Sequence, residues 1–575
     1  MVDDDSERPR RPWREREAAD EPRGVPLDPT RDPVPGVQAF STVYAPGHLI
    51  ITGRVDAAIQ DLTNAGAELG WDVAPEEVST RAGAELTRAR IFPAPKEGRD
   101  DEPVPPVDAW RLLQHARALA VRDGNRNEQS LDAAKASARG ISRAADPRRF
   151  TLPPDHPLRQ VGLDHVLSID PIGINPHTKT NPHTKTNPHT KTNPHTKTNP
   201  SGTDGYADPG TGGLQMVSYI GPHPDRDRGP DPDPGKGRRP IVAIVDTGCG
   251  NHAWLPPEPG AGVAPTGRPI VRRRVPTVIG RTILGVENPA TDPEVDGDQA
   301  GALDGFLDGG AGHGTFVAGI VRQVAPAAEI ISIRVADSNG TVLESELIEA
   351  IEELADWIED DGKGGERHVD VLNLSLGYYH ETPEDGLYST RLYAALRRLR
   401  NHGCVVVCSA GNDATDRPVF PAALWAWKGD SDLDLHIEEV EGEQAQHLAI
   451  GALNPNLRSV ALYSNIGPWV TAYAPGTSVL STVPPLNGGV QAGSRDDLYG
   501  RVRETIDPDD MRGGYAIWSG TSFAAPYVAG LIAANLTPGL MAGEPGGVAA
   551  AEAATAKALE KVKADDLSPK SRPQA

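Results

Sequence analysis

From about residue 239 onward the apolar positions fall into short unbroken runs that take turns with amphipathic stretches. PIVAIVD (240–246) and EIISIRV (329–335) are continuous runs rich in β-branched residues, the signature of strands buried on both faces. Leu343, Leu347, Ile348, Ile351, Leu354 and Ile358 then recur at helical spacing. VDVLNLSLG (369–377) reads as a strand, Leu392, Leu396 and Leu399 mark a helix, and CVVVCSAGN (404–412) is the next strand. Strand and helix in alternation predict an α/β domain over 239–540, a parallel sheet with helices on both faces. In such folds a ligand sits beyond the carboxyl ends of the strands.

The pattern upstream is different. HLIITG (48–53) reads as a buried strand, and Val55, Ile59, Leu62 and Leu69 follow at helical spacing. WDV (71–73) and LTRARIF (86–92) read as strands, VDAWRLLQHARAL (107–119) as an amphipathic helix, and VGLDHVLSI (161–169) as a closing strand. The order β-α-β-β-α-β over 40–170 predicts two helices on one antiparallel sheet. Residues 1–39 are charged and rich in Pro, and are expected to be disordered. Residues 171–238 read as a linker whose centre is NPHTKT four times in tandem, from Asn175 to Thr198. A six-residue period with a Pro in each unit cannot bury an apolar face, so a solvated, extended spacer is expected. Its His177, His183, His189 and His195 are of a metal-binding type, but no acid accompanies them, which favours simple repeat expansion. Residues 541–575 read as a Gly-Pro-rich start, a helix at about 547–564 and a polar tail.

Composition narrows the function classes. The chain has 575 residues, too many for one core, and a formal charge of −23, which argues against nucleic acid or an anionic membrane as the main partner. Only three cysteines occur. Cys404 and Cys408 lie four strand steps apart, roughly 13 Å, beyond disulfide reach. No run of about 18 apolar residues exists, so no membrane span is predicted. The first residues hold no apolar h-region, so a cytoplasmic protein is expected, with secretion as the alternative.

Three segments carry candidate chemistry, each where the sheet argument wants it. VDTG places Asp246 at the end of a buried strand, where a carboxylate can orient an imidazole away from water. In AGHGTFVAGIV (311–321) Gly312 and Gly314 flank His313, so that backbone can pass close to a substrate. In SGTSFAAPYVAG (519–530) Ser522 sits at the mouth of a small-residue helix, with helix N–H groups nearby. Singly each has an ordinary reading: a strand-to-turn aspartate, a core histidine, an N-cap serine. The order Asp, His, Ser is one of the three in which this constellation occurs on unrelated folds.

Taken together, VDTG, GHGT and GTSFAAP resemble the motifs of the subtilisin family over about 240–540. The resemblance implies a subtilisin-like α/β fold and a serine endopeptidase with Asp246, His313 and Ser522 as triad. SAGN (409–412) resembles the family's oxyanion segment and implies that role for Asn412; NLSLG (373–377) resembles its substrate-pairing strand, implying that Ser375, Leu376 and Gly377 line the cleft. By the same resemblance 40–170 is expected to be a small ferredoxin-like α+β propeptide that acts as intramolecular inhibitor, with cleavage within 171–238. The partner is then a protein or peptide substrate. A catalytically silent or dedicated processing component on the same fold is the alternative. The family's motifs are not matched throughout: Phe523 follows the nucleophile where Met is frequent, and Tyr378 follows Gly377 where a second Gly is common, which would narrow the groove. Between Asp246 and His313 lie Asp292, Glu294, Asp296, Asp298, Asp304 and Asp308. Many subtilases bind calcium and this loop is acidic, but no ligand spacing repeats; it is read as a solvated loop with no metal assigned. Cys249 is read as a small buried core residue near the site.

Overall fold

The computed structural model describes residues 12–20, 23–29, 39–52, 55–77, 86–94, 104–120, 152, 156–169, 213–232, 235–256, 270–273, 285–286, 288–303, 305–360, 367–381, 390–427, 444–487, 492–507 and 509–562. The NPHTKT repeats, Asp304 and the polar tail beyond 562 lie outside them.

The larger unit is built on seven strands. In chain order these are β7 (Ile241–Asp246), β8 (Val271–Arg272), β9 (Glu329–Arg334), β11 (Val371–Leu374), β13 (Val405–Ser409), β14 (His447–Leu453) and β15 (Ala472–Pro475). They lie in the order β15-β14-β13-β11-β7-β9-β8, every pairing parallel. Alternate residues of one strand feed opposite cores, the two-residue period of a strand buried on both sides. In β7, Val242 and Ile244 join one cluster while Ile241, Ala243 and Val245 join the other. The first cluster is closed by α4 (His313–Val324), α7 (Thr521–Ala542) and α8 (Val548–Val562); the second by α5 (Glu344–Glu359) and α6 (Thr390–Asn401). α7 is 22 residues long and apolar enough to cross a membrane by length and composition. Two thirds (67%) of its most apolar stretch is nevertheless buried inside this domain, as in a core helix.

The smaller unit holds β2 (Val43–Thr52), α2 (Val55–Leu69), β3 (Trp71–Glu77), β4 (Leu86–Pro93), helix α3 (109–120) and β5 (Val161–Ile169). Its strands are antiparallel in the order β5-β2-β4-β3, and both helices share one core with them, through Leu62 of α2 and Trp110 and Leu113 of α3.

The two units are joined through one strand. The first half of β5 pairs with β2, whereas its last residues pair with β10 (Thr341–Leu343) on one side and β12 (Leu376–Gly377) on the other. Ser168 thus lies between Thr341 and Gly377, and Ile169 lies opposite Leu376 while its N–H donates to Gly340 O at 2.8 Å.

Two segments differ from the sequence expectation. Within 1–39, residues 12–20 and 23–29 are ordered: α1 (Trp13–Asp20) is anchored by Arg16, whose guanidinium meets Asp298 and the carbonyl of Ala302 in the larger unit, and β1 (Val25–Pro26) pairs with β2. Within 171–238, residues 213–232 and 235–238 are docked rather than free. β6 (Gln215–Met216) pairs with the strand Tyr515–Trp518, and Arg238 makes a bidentate contact of 2.6 Å to Asp370. Both contacts join residues far apart in the chain, which local polarity cannot reveal.

Candidate active site

Asp246 ends β7, His313 opens α4 and Ser522 is the second residue of α7, so one group comes from a strand end and two from helix N-termini at the same end of the sheet. His313 Nδ1 and Asp246 Oδ1 are 2.7 Å apart, and neither residue has any exposed surface. Among the described residues His313 Nε2 has no hydrogen-bond partner. Ser522, also fully buried, donates its hydroxyl to Ser375 O at 3.4 Å, and Ser375 Oγ donates to Ser522 O at 2.9 Å. The Ser–His bond is therefore not made in this state.

The glycines of the two motifs have a steric cause. Gly312 sits at φ +78°, the left-handed region that favours glycine, and turns the chain into α4. A Cβ on Gly314 would lie 2.1 Å from Gly248 O, so VDTG and GHGT can interlock only without a side chain there. Thr247 Oγ1 accepts Gly314 N at 2.8 Å, and Thr315 Oγ1 accepts Gly250 N at 2.6 Å.

One residue completes this lock. Glu294, 2% exposed, accepts Thr247 Oγ1 and Thr315 Oγ1 at 2.5 Å each and Gly314 N at 3.0 Å. Burial pushes its carboxyl up to about 7, with the charges of Asp292 and Asp246 adding to the rise and the two threonine hydroxyls opposing it. The loop carrying it is not the solvated acidic segment expected. Its carboxylates serve protein donors: Asp298 holds Arg16 and Gly305 N, and Asp308 accepts Gln299 N at 2.7 Å and Ala300 N at 2.9 Å. Among the described residues no cluster of carboxylates suited to calcium is formed there.

Asn412, half-buried, accepts Thr521 N through Oδ1 at 2.9 Å, while Gly411 N donates to Thr521 Oγ1 at 3.1 Å. SAGN is thereby fastened to the start of α7 beside Ser522, with the Asn412 amide NH2 as the donor end. Leu376 and Gly377 pair with Ile169 and Ser168, so the strand named as a cleft wall is already paired. The ring of Tyr378 stacks on His165 at 4.4 Å and its hydroxyl donates to Glu344. Phe523 packs against His313 and Phe316, its ring 4.5 Å from the latter. Cys249 is buried, and burial raises its thiol, with Arg273 acting in the opposite direction.

The chain is 30% identical over 259 residues to the thermophilic serine proteinase of Bacillus sp. (strain AK1), covering 42% of this chain and 48% of that protein. It is 26% identical over 313 residues to the intracellular serine protease of Paenibacillus polymyxa, covering 52% and 67%. A cold adapted subtilisin-like serine proteinase of known structure is 22% identical, with TM-score 0.30, over 53% of this chain and 79% of that one. The chain spans about half the length of most of the curated relatives it matches. The model of the subtilase family matches residues 237–570, more than half of the 575, and the chain belongs to that family.

Proposed function

We propose that this chain is a serine endopeptidase made as a zymogen, with Ser522 as nucleophile, His313 as general base and then acid, and Asp246 as the group that orients and stabilises the imidazole. What carries the reading is the buried 2.7 Å contact between His313 Nδ1 and Asp246, which leaves Nε2 as the nitrogen able to take a proton. The hydroxyl of Ser522 turns from Ser375 O to His313 Nε2 and attacks the scissile carbonyl as its proton passes to the imidazole. The tetrahedral oxyanion is held by the Asn412 amide and the N–H of Ser522, since the first amides of a helix have no acceptor within it. His313 then gives the proton to the leaving amine. A water repeats the sequence to free the acyl group from Ser522.

The smaller unit, 40–170, is the intramolecular inhibitor in this reading. The end of β5 pairs on both sides with the catalytic unit at Leu376–Gly377 and Gly340–Leu343, as a bound peptide does by strand addition, and no triad residue is exposed. Main-chain pairing is tolerant of sequence, so the substrate class is an extended peptide or protein segment. Kinship with intracellular serine proteases supports a cytoplasmic site of action.

The test uses the full chain and Ser522→Ala. Wild type is expected to be cut within 171–238, and to react with a fluorophosphonate after the cut; the variant should do neither. A wild type that stays whole and unlabelled, also after removal of residues 1–238 by an added protease, would overturn the proposal.

A further inference from the structure

Where β5 crosses onto the larger unit, a cluster of ionisable side chains is buried in the interface. His165 comes from β5; Glu344 opens α5, and His380 and Glu381 follow β12. None is more than 3% exposed. His165 Nε2 is 2.7 Å from Glu381 Oε2, His380 Nδ1 is 3.6 Å from the same oxygen, and one donor atom of each of the three residues lies within 4.8 Å of the others. Behind them, His165 Nδ1 meets Glu344 Oε2 at 2.6 Å, and Tyr378 stacks on the ring while its hydroxyl holds the other Glu344 oxygen at 3.0 Å.

Two imidazole nitrogens and one carboxylate converging on a point are a donor set suited to zinc. A carboxylate on the far nitrogen of a ligand histidine is the usual outer support of such a site, fixing tautomer and ring direction. In a near-tetrahedral zinc site two ligand atoms, each about 2.0–2.1 Å from the ion, lie roughly 3.4 Å apart, so the widest pair, within 4.8 Å, must draw in by up to about 1.4 Å and His165 Nε2 and Glu381 Oε2 must part from 2.7 Å. With neutral imidazoles, Glu344 and Glu381 leave two negative charges buried. Arg417 approaches from the neighbouring loop, but its guanidinium donates to Ser41 O at 2.8 Å and His380 O at 2.7 Å. Without a metal, the same carboxylates are balanced by protonated imidazole, which is the rival state.

We propose that His165, His380 and Glu381 bind one zinc-type divalent cation that clamps the smaller unit onto the larger one, with Glu344 holding His165 in place and one coordination position left for water. The site rests on the contact between the units and not on the catalytic reading, so each stands or falls alone.

The experiment uses the full chain carrying Ser522→Ala, so that self-cleavage cannot interfere, and His177, His183, His189 and His195 each changed to Ser, so that repeat imidazoles cannot bind metal. After stripping with a chelator, the protein is loaded with Zn2+ or Co2+, desalted and analysed for metal. About one zinc per chain is expected. Uptake should release protons, and the melting temperature should rise over the stripped form. Cobalt should give the strong visible absorption of a four- or five-coordinate ion rather than the weak bands of an octahedral one. His380→Gln and Glu381→Gln, with near-ultraviolet circular dichroism unchanged, should each lose the metal. Less than about a fifth of an equivalent in the unsubstituted interface would overturn the proposal. So would equal binding by His380→Gln, octahedral cobalt, or zinc held only when the repeat histidines are present.

Discussion

Glu294→Gln tests whether a buried acid behind the triad makes the protein lose stability as pH rises. In the unfolded chain this carboxyl has its ordinary value of 4.5, and in the fold burial lifts it to about 7. Below about pH 4.5 both states hold the proton and nothing is lost. Between the two values the folded state keeps a proton that the unfolded state has shed, so stability falls with rising pH; above about 7 the full cost remains. At 1.36 kcal/mol per unit the rise corresponds to about 3 kcal/mol. Glutamine is neutral at every pH and can still accept Gly314 N and Thr247 Oγ1 while the Thr315 hydroxyl turns to accept its NH2. The assay is thermal or denaturant unfolding in the Ser522→Ala background. At about pH 4.5 the two proteins should agree within about 0.5 kcal/mol, and by about pH 5.5 the variant should lead by about 1.4 kcal/mol. At about pH 8.5 the variant should be the more stable by about 3 kcal/mol, on the order of 5–10 °C in melting temperature. Curves that stay parallel from pH 5 to 9 would show that Glu294 ionises normally and that the account of its burial is wrong.

Other outcomes follow from the same geometry. Gly314→Ala sets a Cβ 2.1 Å from Gly248 O and should cost at least about 3 kcal/mol, read as loss of soluble, protease-resistant protein; wild-type yield and stability would refute the interlock. Asn412→Ala should lower kcat by about 10²–10³ with little change in KM, measured on a peptide substrate after maturation; an unchanged kcat would remove it from the oxyanion site. Ile169→Pro deletes the N–H that donates to Gly340 O at 2.8 Å and should raise the peptidase activity of the uncut chain by about tenfold, followed in the first minutes after refolding. No rise would mean that β5 does not hold the cleft closed.

Much of the larger unit was legible because its strands are long enough to state their pattern. β7, β9 and β13 are continuous apolar runs, and α5 and α6 show helical spacing over three or more turns. Asp246, His313 and Ser522 could be singled out because the glycines beside them answer to close backbone contacts that local sequence records. Glu294 could not. It is one of six acids in a loop, and only the fold decides that this one faces Thr247 and Thr315. β6 and β10, two and three residues long, are too short to carry a period and exist because a distant strand offers its edge. α1 has no apolar stripe at all; it is held by Arg16 through Asp298, a partner 282 residues away. The interface cluster was hidden for the same reason, since His165 meets Glu344 and Glu381 across 179 and 216 residues.

The shared strand β5 has a consequence for timing. While the chain is whole, Ser168 and Ile169 are a ligand tethered to their own binding site, at an effective concentration on the order of millimolar that dilution cannot change. Once the connection beyond Ile169 is cut, the same contacts obey the bulk concentration of the two pieces. On the proposed zymogen reading, activation then depends on crowding: in a dilute compartment a single cut would be followed by escape of the smaller unit, whereas at high local concentration the cut chain would stay occupied. One strand paired to both units would thus turn the proposed first cleavage into a step whose effect is set by how many copies are nearby.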